Sequence, residues 1–467
     1  MSPSVSLLIT HLGALLSRFR TGTASFVSRP SAVAMVAVAM VVVALAVQSA
    51  SALDFGGSAG YEVTYSDNLT RVKNCPSDWE HTPFFAFQAT QQSNVYQLSS
   101  QYRFEQRIYA NETYPDDSIV SGTTQARVSL LPDTLDWTLS HSRQESAVNS
   151  RFANTPSNSQ LTNVLATGPS LNFTLDGRTA VELSALYQDL TADRTDNDST
   201  RWIGNAGVRR AIDANSEFGI QANHSDINFA NEFGQDYRST DVRLVYGRSQ
   251  GSRTKLDIEL GAVRVETEDR LGFLPSGAPA VLSEGEANFD WTGSLSLSRE
   301  FTRSLSGSLH AERKSSDSGS GLNARSGEFP GTGGGRSDAR QSFIETSFDV
   351  GLAYTGPRLA ARAFIVSSDM DFDGVREDEK RLTFGLNGSY KLSARISLSS
   401  SASIAAVEFQ EASGRDLTHR LGVQVVWQPL QMLTVGAGVD WENRDGARAI
   451  SVDYQETSAS VRTAYQF

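Results

Sequence analysis

Gly56, Ser58 and Gly60 reproduce the Gly-x-Ser-x-Gly spacing with which hydrolases present a nucleophilic serine. That serine is activated only on a strained turn from strand into helix. No helical period follows Gly60, so the spacing carries no chemistry. Asp369, Asp371, Asp373 and Gly374 copy the first half of a calcium loop, but the position that should supply a bidentate glutamate is Lys380. Without flanking helices an EF-hand is excluded. The acidic run, continued by Glu377, Asp378 and Glu379, is a candidate for a loosely held divalent ion, against the plainer reading of a solvated hairpin loop. His81, His141, His224, His310 and His419 lack metal-ligand spacing. His141-Ser142 and His224-Ser225-Asp226 set catalytic residue types side by side, as hydrolases embedded in barrel rims do, yet no second element places a nucleophile against them. Gly331, Gly333, Gly334 and Gly335 precede Arg336 and not the Lys-Ser/Thr of a phosphate loop, which reads as a flexible surface loop. Cys75 is the single cysteine, an isolated thiol. The expectation is a protein with no catalytic residue and no cofactor.

The ends of the chain say where it works. Arg18, Arg20 and Arg29 precede the apolar run Ala32 to Val47, followed by Gln48, Ser49, Ala50, Ser51 and Ala52. A positive flank, a short apolar core and an Ala-x-Ala site read as a secretory signal over residues 1–52, cleaved after Ala52. The run is short of the roughly 20 residues that a permanent helical anchor needs. Residues 1–52 hold three arginines and no acid, so the 41 basic side chains fall to 38 against 53 acidic ones, a net charge of −15. Such a balance excludes nucleic acid as a partner class.

Beyond Leu53 the hydrophobic period is two, and no stretch sustains a period of 3.6. Phe289, Trp291, Leu295 and Leu297 alternate with Asp290, Thr292, Ser294, Ser296 and Ser298, and Leu382, Phe384, Leu386 and Tyr390 with Thr383, Asn387 and Ser389. The runs commonly exceed the five or six residues of an ordinary soluble strand and suit the roughly 9–11 of a tilted strand crossing a bilayer. Tight turns, among them Asp176-Gly177, Asp213-Ala214-Asn215 and Gln428-Pro429, alternate with long excursions such as Asp67–Glu80, Ala147–Gln160, Glu268–Glu286, Ser315–Arg340 and Asp369–Glu379. This asymmetry is that of an outer-membrane barrel, with periplasmic turns and exterior loops. The count gives sixteen to twenty strands, twenty being the best value, in one barrel over 53–467. Trp137 and Trp427 beside tight turns, and Trp202, Trp291 and Trp441 near long loops, suit two aromatic girdles. Glu182, Asp257, Glu259, Asp290 and Asp440 share the inward phase with Arg103, Arg107, Arg362 and Arg462, so strong charge selectivity is not expected.

The chain ends in alternation: Val461, Thr463, Tyr465 and the terminal Phe467 on one face, with Arg462, Ala464 and Gln466 on the other. A closing strand of this kind is the signal that barrel insertion machinery reads. The opening strand Tyr61-Glu62-Val63-Thr64-Tyr65-Ser66-Asp67-Asn68-Leu69 and the turn Leu130-Leu131-Pro132-Asp133-Thr134-Leu135 resemble those of outer-membrane barrels associated with bacterial exopolysaccharide and PEP-CTERM (exosortase) loci. The resemblance implies a pore or scaffold in the outer membrane of a Gram-negative bacterium, serving envelope polysaccharide export or surface-protein sorting. Its implied partners are outer-membrane lipid and lipopolysaccharide, the barrel assembly machinery and polysaccharide export components. A general porin and a non-conducting structural or adhesion barrel are the alternatives. A TonB-gated transporter is disfavoured, since no plug-sized region precedes the first strand.

Overall fold

The computed structural model describes residues 53–467 apart from 74, 150, 196–197, 231–234, 274–278, 284, 318–341, 373–377, 411–413 and 447–451, with 270–273 and 279–283 as backbone alone. Residues 1–52, with the expected cleavage residues Ala50 and Ala52, lie outside the described residues, as does most of the Gly-rich loop. Asp54–Phe467 forms one compact unit. In chain order its strands are β1 (Asp54–Ser66), β2 (Asp78–Gln92), β3 (Tyr96–Tyr109), β4 (Asp117–Leu131), β5 (Leu135–Ala147), β6 (Ser159–Thr174), β7 (Thr179–Ala192), β8 (Ser199–Ala211), β9 (Ser216–Phe229), β10 (Tyr237–Gln250) and β11 (Thr254–Thr267). They continue with β12 (Arg270–Phe273), β13 (Pro279–Ser283), β14 (Ala287–Glu300), β15 (Leu305–Ser316), β16 (Phe343–Thr355), β17 (Leu359–Phe372), β18 (Glu379–Lys391), β19 (Ile396–Phe409), β20 (Gly414–Leu430), β21 (Leu433–Asp445) and β22 (Tyr454–Gln466). All but β12 and β13 belong to a single 20-stranded sheet of antiparallel neighbours. Pairing of β1 with β22, from Ser58 opposite Gln466 to Ser66 opposite Ser458, closes it into a barrel.

Strand alternation assigns the two faces. Phe85 is 42% exposed and stacks on Phe467, whereas its neighbour Phe84 is 5% exposed between arginines. Leu295, Leu297, Leu382, Phe384 and Leu386 share the first face and are open to the surroundings. The second face carries contacts between strands that are not neighbours, as from Arg201 on β8 to Asp317 just past β15. Such contacts can only cross the interior, so the polar phase faces the lumen and the apolar phase faces lipid. Every charged residue expected inside, from Glu182 to Arg462, lies in the inner register.

Short connections cap one rim because their own side chains satisfy the backbone. Asp176 accepts hydrogen bonds from the amides of Arg178 and Thr179, Asp213 from that of Asn215, and Ser393 from those of Arg395 and Ile396. Two expectations need correction. Gln428 and Pro429 lie within β20 and the turn falls at Gln431 and Met432. The register shifts between Trp427 and Leu430, where a proline without an N–H cannot complete the ladder. The excursion 268–286 is not plain loop: β12 and β13 pair there as a separate hairpin.

Strands of 12 to 17 residues are longer than the roughly 9–11 that span hydrocarbon, so the barrel rises beyond the bilayer at its loop end. Apolar packing of the inner face gathers there. Phe343, Met370 and Phe372 form one buried cluster, and Ile227, Phe229 and Tyr237 another, with Val265 against it.

Candidate functional site

Among the described residues, the lumen wall assembles polar groups from many strands. Its wall is laddered with charge. Arg103 pairs with Glu105 at 2.6 Å and Glu62 at 3.6 Å, and Arg107 with Glu105 at 2.9 Å, Glu80 at 3.8 Å and Glu145 at 2.6 Å. Arg243 lies between Asp241 at 2.5 Å and Glu259 at 3.1 Å. Arg103 and Arg462 both hold their guanidinium carbons over the Phe84 ring, at 4.0 and 4.5 Å from its centroid.

The mouth is crossed by a segment of its own chain. The β5–β6 loop, 148–158, is folded into a compact unit by Asn158, whose amide donates to the carbonyls of Asn149 and Ala153 and whose side-chain oxygen accepts from the Asn149 N–H. One helical turn, Pro156–Asn158, completes it. On the near side Arg194 donates to the carbonyls of Pro156, Ser157 and Ser159. On the far side Arg71 donates to Asn154 O at 2.7 Å and Arg444 to Arg151 O at 2.6 Å, while the Arg151 guanidinium lies 5.5 Å from the Phe409 ring centre. Phe409 is on β19, reached from β5 through β4, β3, β2, β1, β22, β21 and β20. The loop is therefore a strap spanning the lumen.

Its far anchor is a network of ion pairs and hydrogen bonds, buried at Glu456 and Asp416 and open at Arg420. Glu456 accepts from Ser66 at 2.7 Å and from Arg71 at 2.7 Å, and Glu442 accepts from Tyr454 at 2.5 Å and Arg420 at 3.1 Å. Arg444 also pairs with Asp416. Burial works against the Arg71 cation, but Glu456 and Glu442 outweigh it and raise its pKa, so the anchor is charged at every accessible pH. A second link crosses the mouth where buried Asp317 accepts from Arg201 at 2.7 Å and from the Tyr237 hydroxyl. Sequence reasoning missed both devices. The repeated asparagines of the strap, Asn149, Asn154 and Asn158, were the available signal.

The sequence candidates fall elsewhere. Asp369 and Asp371 take outer-face positions near the end of β17, and Asp369 ion-pairs with Lys380 on β18 at 3.0 Å; Asp373 lies outside the described residues. No group of three or more His, Cys, Asp or Glu side chains among the described residues is placed to hold a metal ion. Gly56, Ser58 and Gly60 lie within strand β1, not at a strand-to-helix turn. His141, hydrogen-bonded with the Tyr102 hydroxyl at 2.5 Å, points outward while Ser142 points inward. His224 bonds Thr240 on the outer face and Ser225 bonds Ser239 on the inner one. Cys75 is a free thiol against the Thr70 hydroxyl. Val461, Thr463, Tyr465 and Phe467 share the outer face of β22, where Val461, Tyr465 and Phe467 are half exposed.

No protein-family model and no curated protein matches the chain. Among solved structures it is similar to the FrpB iron transporter of Neisseria meningitidis in its apoprotein form, at 11% identity over 88% of this chain and 81% of that one, with a TM-score of 0.50. The ferric citrate transporter FecA in unliganded form (10% identity, 89% and 79% covered, TM-score 0.48) and the copper transporter OprC (11%, 90% and 82%, 0.47) are further similar chains. Identity this low makes the likeness one of fold. The chain is an outer-membrane β-barrel: a closed antiparallel barrel with an apolar exterior is the strand architecture that spans a bilayer.

Proposed function

We propose that the barrel is a passive channel of the outer membrane whose exterior mouth is narrowed by the 148–158 strap. The observation that supports this reading most directly is the strap itself, held to the far wall by Arg71 and Arg444 above a lumen lined by small polar residues. A hydroxyl-rich wall with mutually cancelling charges suits hydrophilic cargo of either sign, and hydroxylated polymer in particular. Envelope polysaccharide export or surface-protein sorting, which the opening strand and the Leu131-Pro132-Asp133 turn imply by resemblance, is the biological setting proposed for it.

Residues 53–467 folded into planar bilayers are expected to give stable open steps. The double variant Arg71→Ala/Arg444→Ala, which frees the far end of the strap, is expected to give larger ones. Silent bilayers containing correctly folded protein would favour the structural or adhesion barrel. A null strain that keeps its surface polymer and sorted proteins but loses uptake of small solutes would replace export with a general porin. Iron, ferric citrate and copper, which name the neighbouring transporters, belong in the same uptake assay.

A further inference from the structure

Four consecutive turns of the periplasmic rim, β10–β11, β14–β15, β16–β17 and β18–β19, carry with their strand ends Arg253, Arg299, Arg303, Arg358, Lys391 and Arg395, against one carboxylate, Glu300. All six cations are exposed, and among the described residues none is ion-paired. Lys255, which Asp257 neutralises at 3.0 Å, and Arg248, whose charge reaches Asp213, stand outside that count. The remaining turns of the rim differ. Residues 93–95, 132–134 and 431–432 hold no cation, and Arg178 and Arg210 are balanced by Asp176 and Asp213. A chain of net charge −12 thus concentrates cations on one arc of one rim.

Backbone hydrogen bonds fix the arc as a row. Arg253 O accepts from Glu300 N at 2.8 Å, Ser304 O from Thr355 N at 2.7 Å, Arg358 O from Lys391 N at 2.8 Å and Arg395 O from Gln428 N at 2.8 Å, so each turn is tied to the next strand. Successive turns lie two strands apart, about 10 Å, close to the screening length of about 8–10 Å in physiological salt, so their fields add. The row stands where the apolar phase of the outer face ends. Arg299 follows Leu295 and Leu297 in the outward register, with its guanidinium carbon 5.8 Å from the Phe301 ring centre. That ring is half exposed and folds back over Gly307, whose Cβ would stand 2.8 Å from it. Tyr354, Leu359 and Tyr390, also outward and exposed, end the lipid face of β16, β17 and β18. Rings at the boundary with cations just beyond them are the arrangement of a membrane interface, in which the charges lie among headgroups.

We propose that this arc binds the phosphate groups of anionic glycerophospholipids in the inner leaflet of the outer membrane. Guanidinium forks donate paired N–H groups to phosphate oxygens, and clustered cations at a surface gather anionic lipid. A soluble acidic protein would match the charge but leave Arg299, on the face of the lipid-facing leucines, unengaged. The surface needs no open pore and stands apart from the channel reading.

Two outer-face tryptophans report on the two halves of the rim. Trp427, opposite Ile396, lies at the cationic arc, and Trp137 lies by the cation-free turn 132–134; their exposures, 48% and 45%, are matched. Full-length protein, isolated from membranes in detergent and checked by its heat-dependent shift in electrophoretic migration, is reconstituted in phosphatidylcholine vesicles with increasing brominated phosphatidylglycerol, in versions where Trp427 or Trp137 is the one tryptophan left. Quenching is expected to give phosphatidylglycerol at least about a threefold advantage over phosphatidylcholine at Trp427 and none at Trp137. The advantage should vanish in Arg299→Gln/Arg303→Gln/Arg358→Gln/Arg395→Gln, and in the parent at about 1 M salt, where screening acts over about 3 Å. Should the fourfold variant fail to fold, the salt series decides. Equal quenching by the two lipids at Trp427, an equal advantage at both tryptophans, or an advantage that survives the fourfold variant or high salt overturns the proposal. Absence of lipid preference with salt-sensitive retention on immobilised polyglutamate would overturn it in favour of an acidic periplasmic protein.

Discussion

At the residue scale, position on the ring decides what a side chain costs. Leu297 faces lipid and Ser296 faces the lumen one residue away. An arginine at Leu297 is expected to destabilise the barrel by about 2–4 kcal/mol if it lies near the midplane, and one at Ser296 by far less. Urea unfolding of the two variants in vesicles checks this, and equal losses would contradict the register. Gly60 is constrained in another way, since a Cβ there would lie 2.3 Å from the carbonyl oxygen of Thr463 and 2.4 Å from the Phe84 ring. Gly60→Val should cost about 1–3 kcal/mol through overpacking at the seam. The periplasmic turns carry a pH signature. A hydrogen bond from the Thr179 hydroxyl, with the Arg178 and Thr179 amides, holds the Asp176 carboxyl below the usual range, and Ser216 does the same for Asp213. A carboxylate depressed on folding contributes stability above its unfolded pKa, about 4, and loses it as pH falls through the folded value. Acid unfolding below about pH 4 should therefore be less steep in Asp176→Asn than in the parent, and identical acid limbs would exclude that role.

Among the elements, β22 and the strap have separable duties. Phe467 exchanges two main-chain hydrogen bonds with Gly57, each 2.9 Å, and its ring stacks on Phe85. Those contacts end the seam at the periplasmic rim. Deleting Phe467, or replacing both it and Tyr465 by serine, is expected to leave the chain in the periplasm for degradation, and normal amounts of heat-modifiable barrel in outer-membrane fractions would refute this. The strap lies off the ladder, so its loss should spare the barrel. Asn158 supplies the bonds that close it, and removing them by Asn158→Ala forfeits about 1 kcal/mol for each. The variant should be cut by trypsin at Arg151 much faster than the parent while its migration on gels stays unchanged; equal cleavage rates would mean that Asn158 does not hold the strap.

For the whole molecule, the balance of charge along the wall outweighs the net charge. Arg103, Arg107 and Arg243 each lie against two or three carboxylates, so the inner surface is neutralised locally. The excess acid counts only at the rims and loops, where salt screens it over about 8–10 Å. Reversal potentials in a salt gradient should accordingly show at most a weak cation preference, fading as salt rises. A strong preference persisting at high salt would place unpaired carboxylates in the constriction.

What the sequence alone determined is what depends on neighbours along the chain. Alternation with a period of two separated lipid face from lumen face, since adjacent strand residues must point oppositely. Self-capping residues such as Asp176 and Asp213 marked the turns, and the alternation ending in Phe467 marked the closing strand. Pro429 misplaced one turn because a bulge is settled by the partner strand as much as by the residue itself. Everything that narrows the lumen was decided by closure of the ring. Arg71 meets Asn154 across 83 residues, Arg201 meets Asp317 across 116, and Arg71 meets Glu456 across 385. Those pairs follow from the curvature that brings the strands together, a property that no local period encodes.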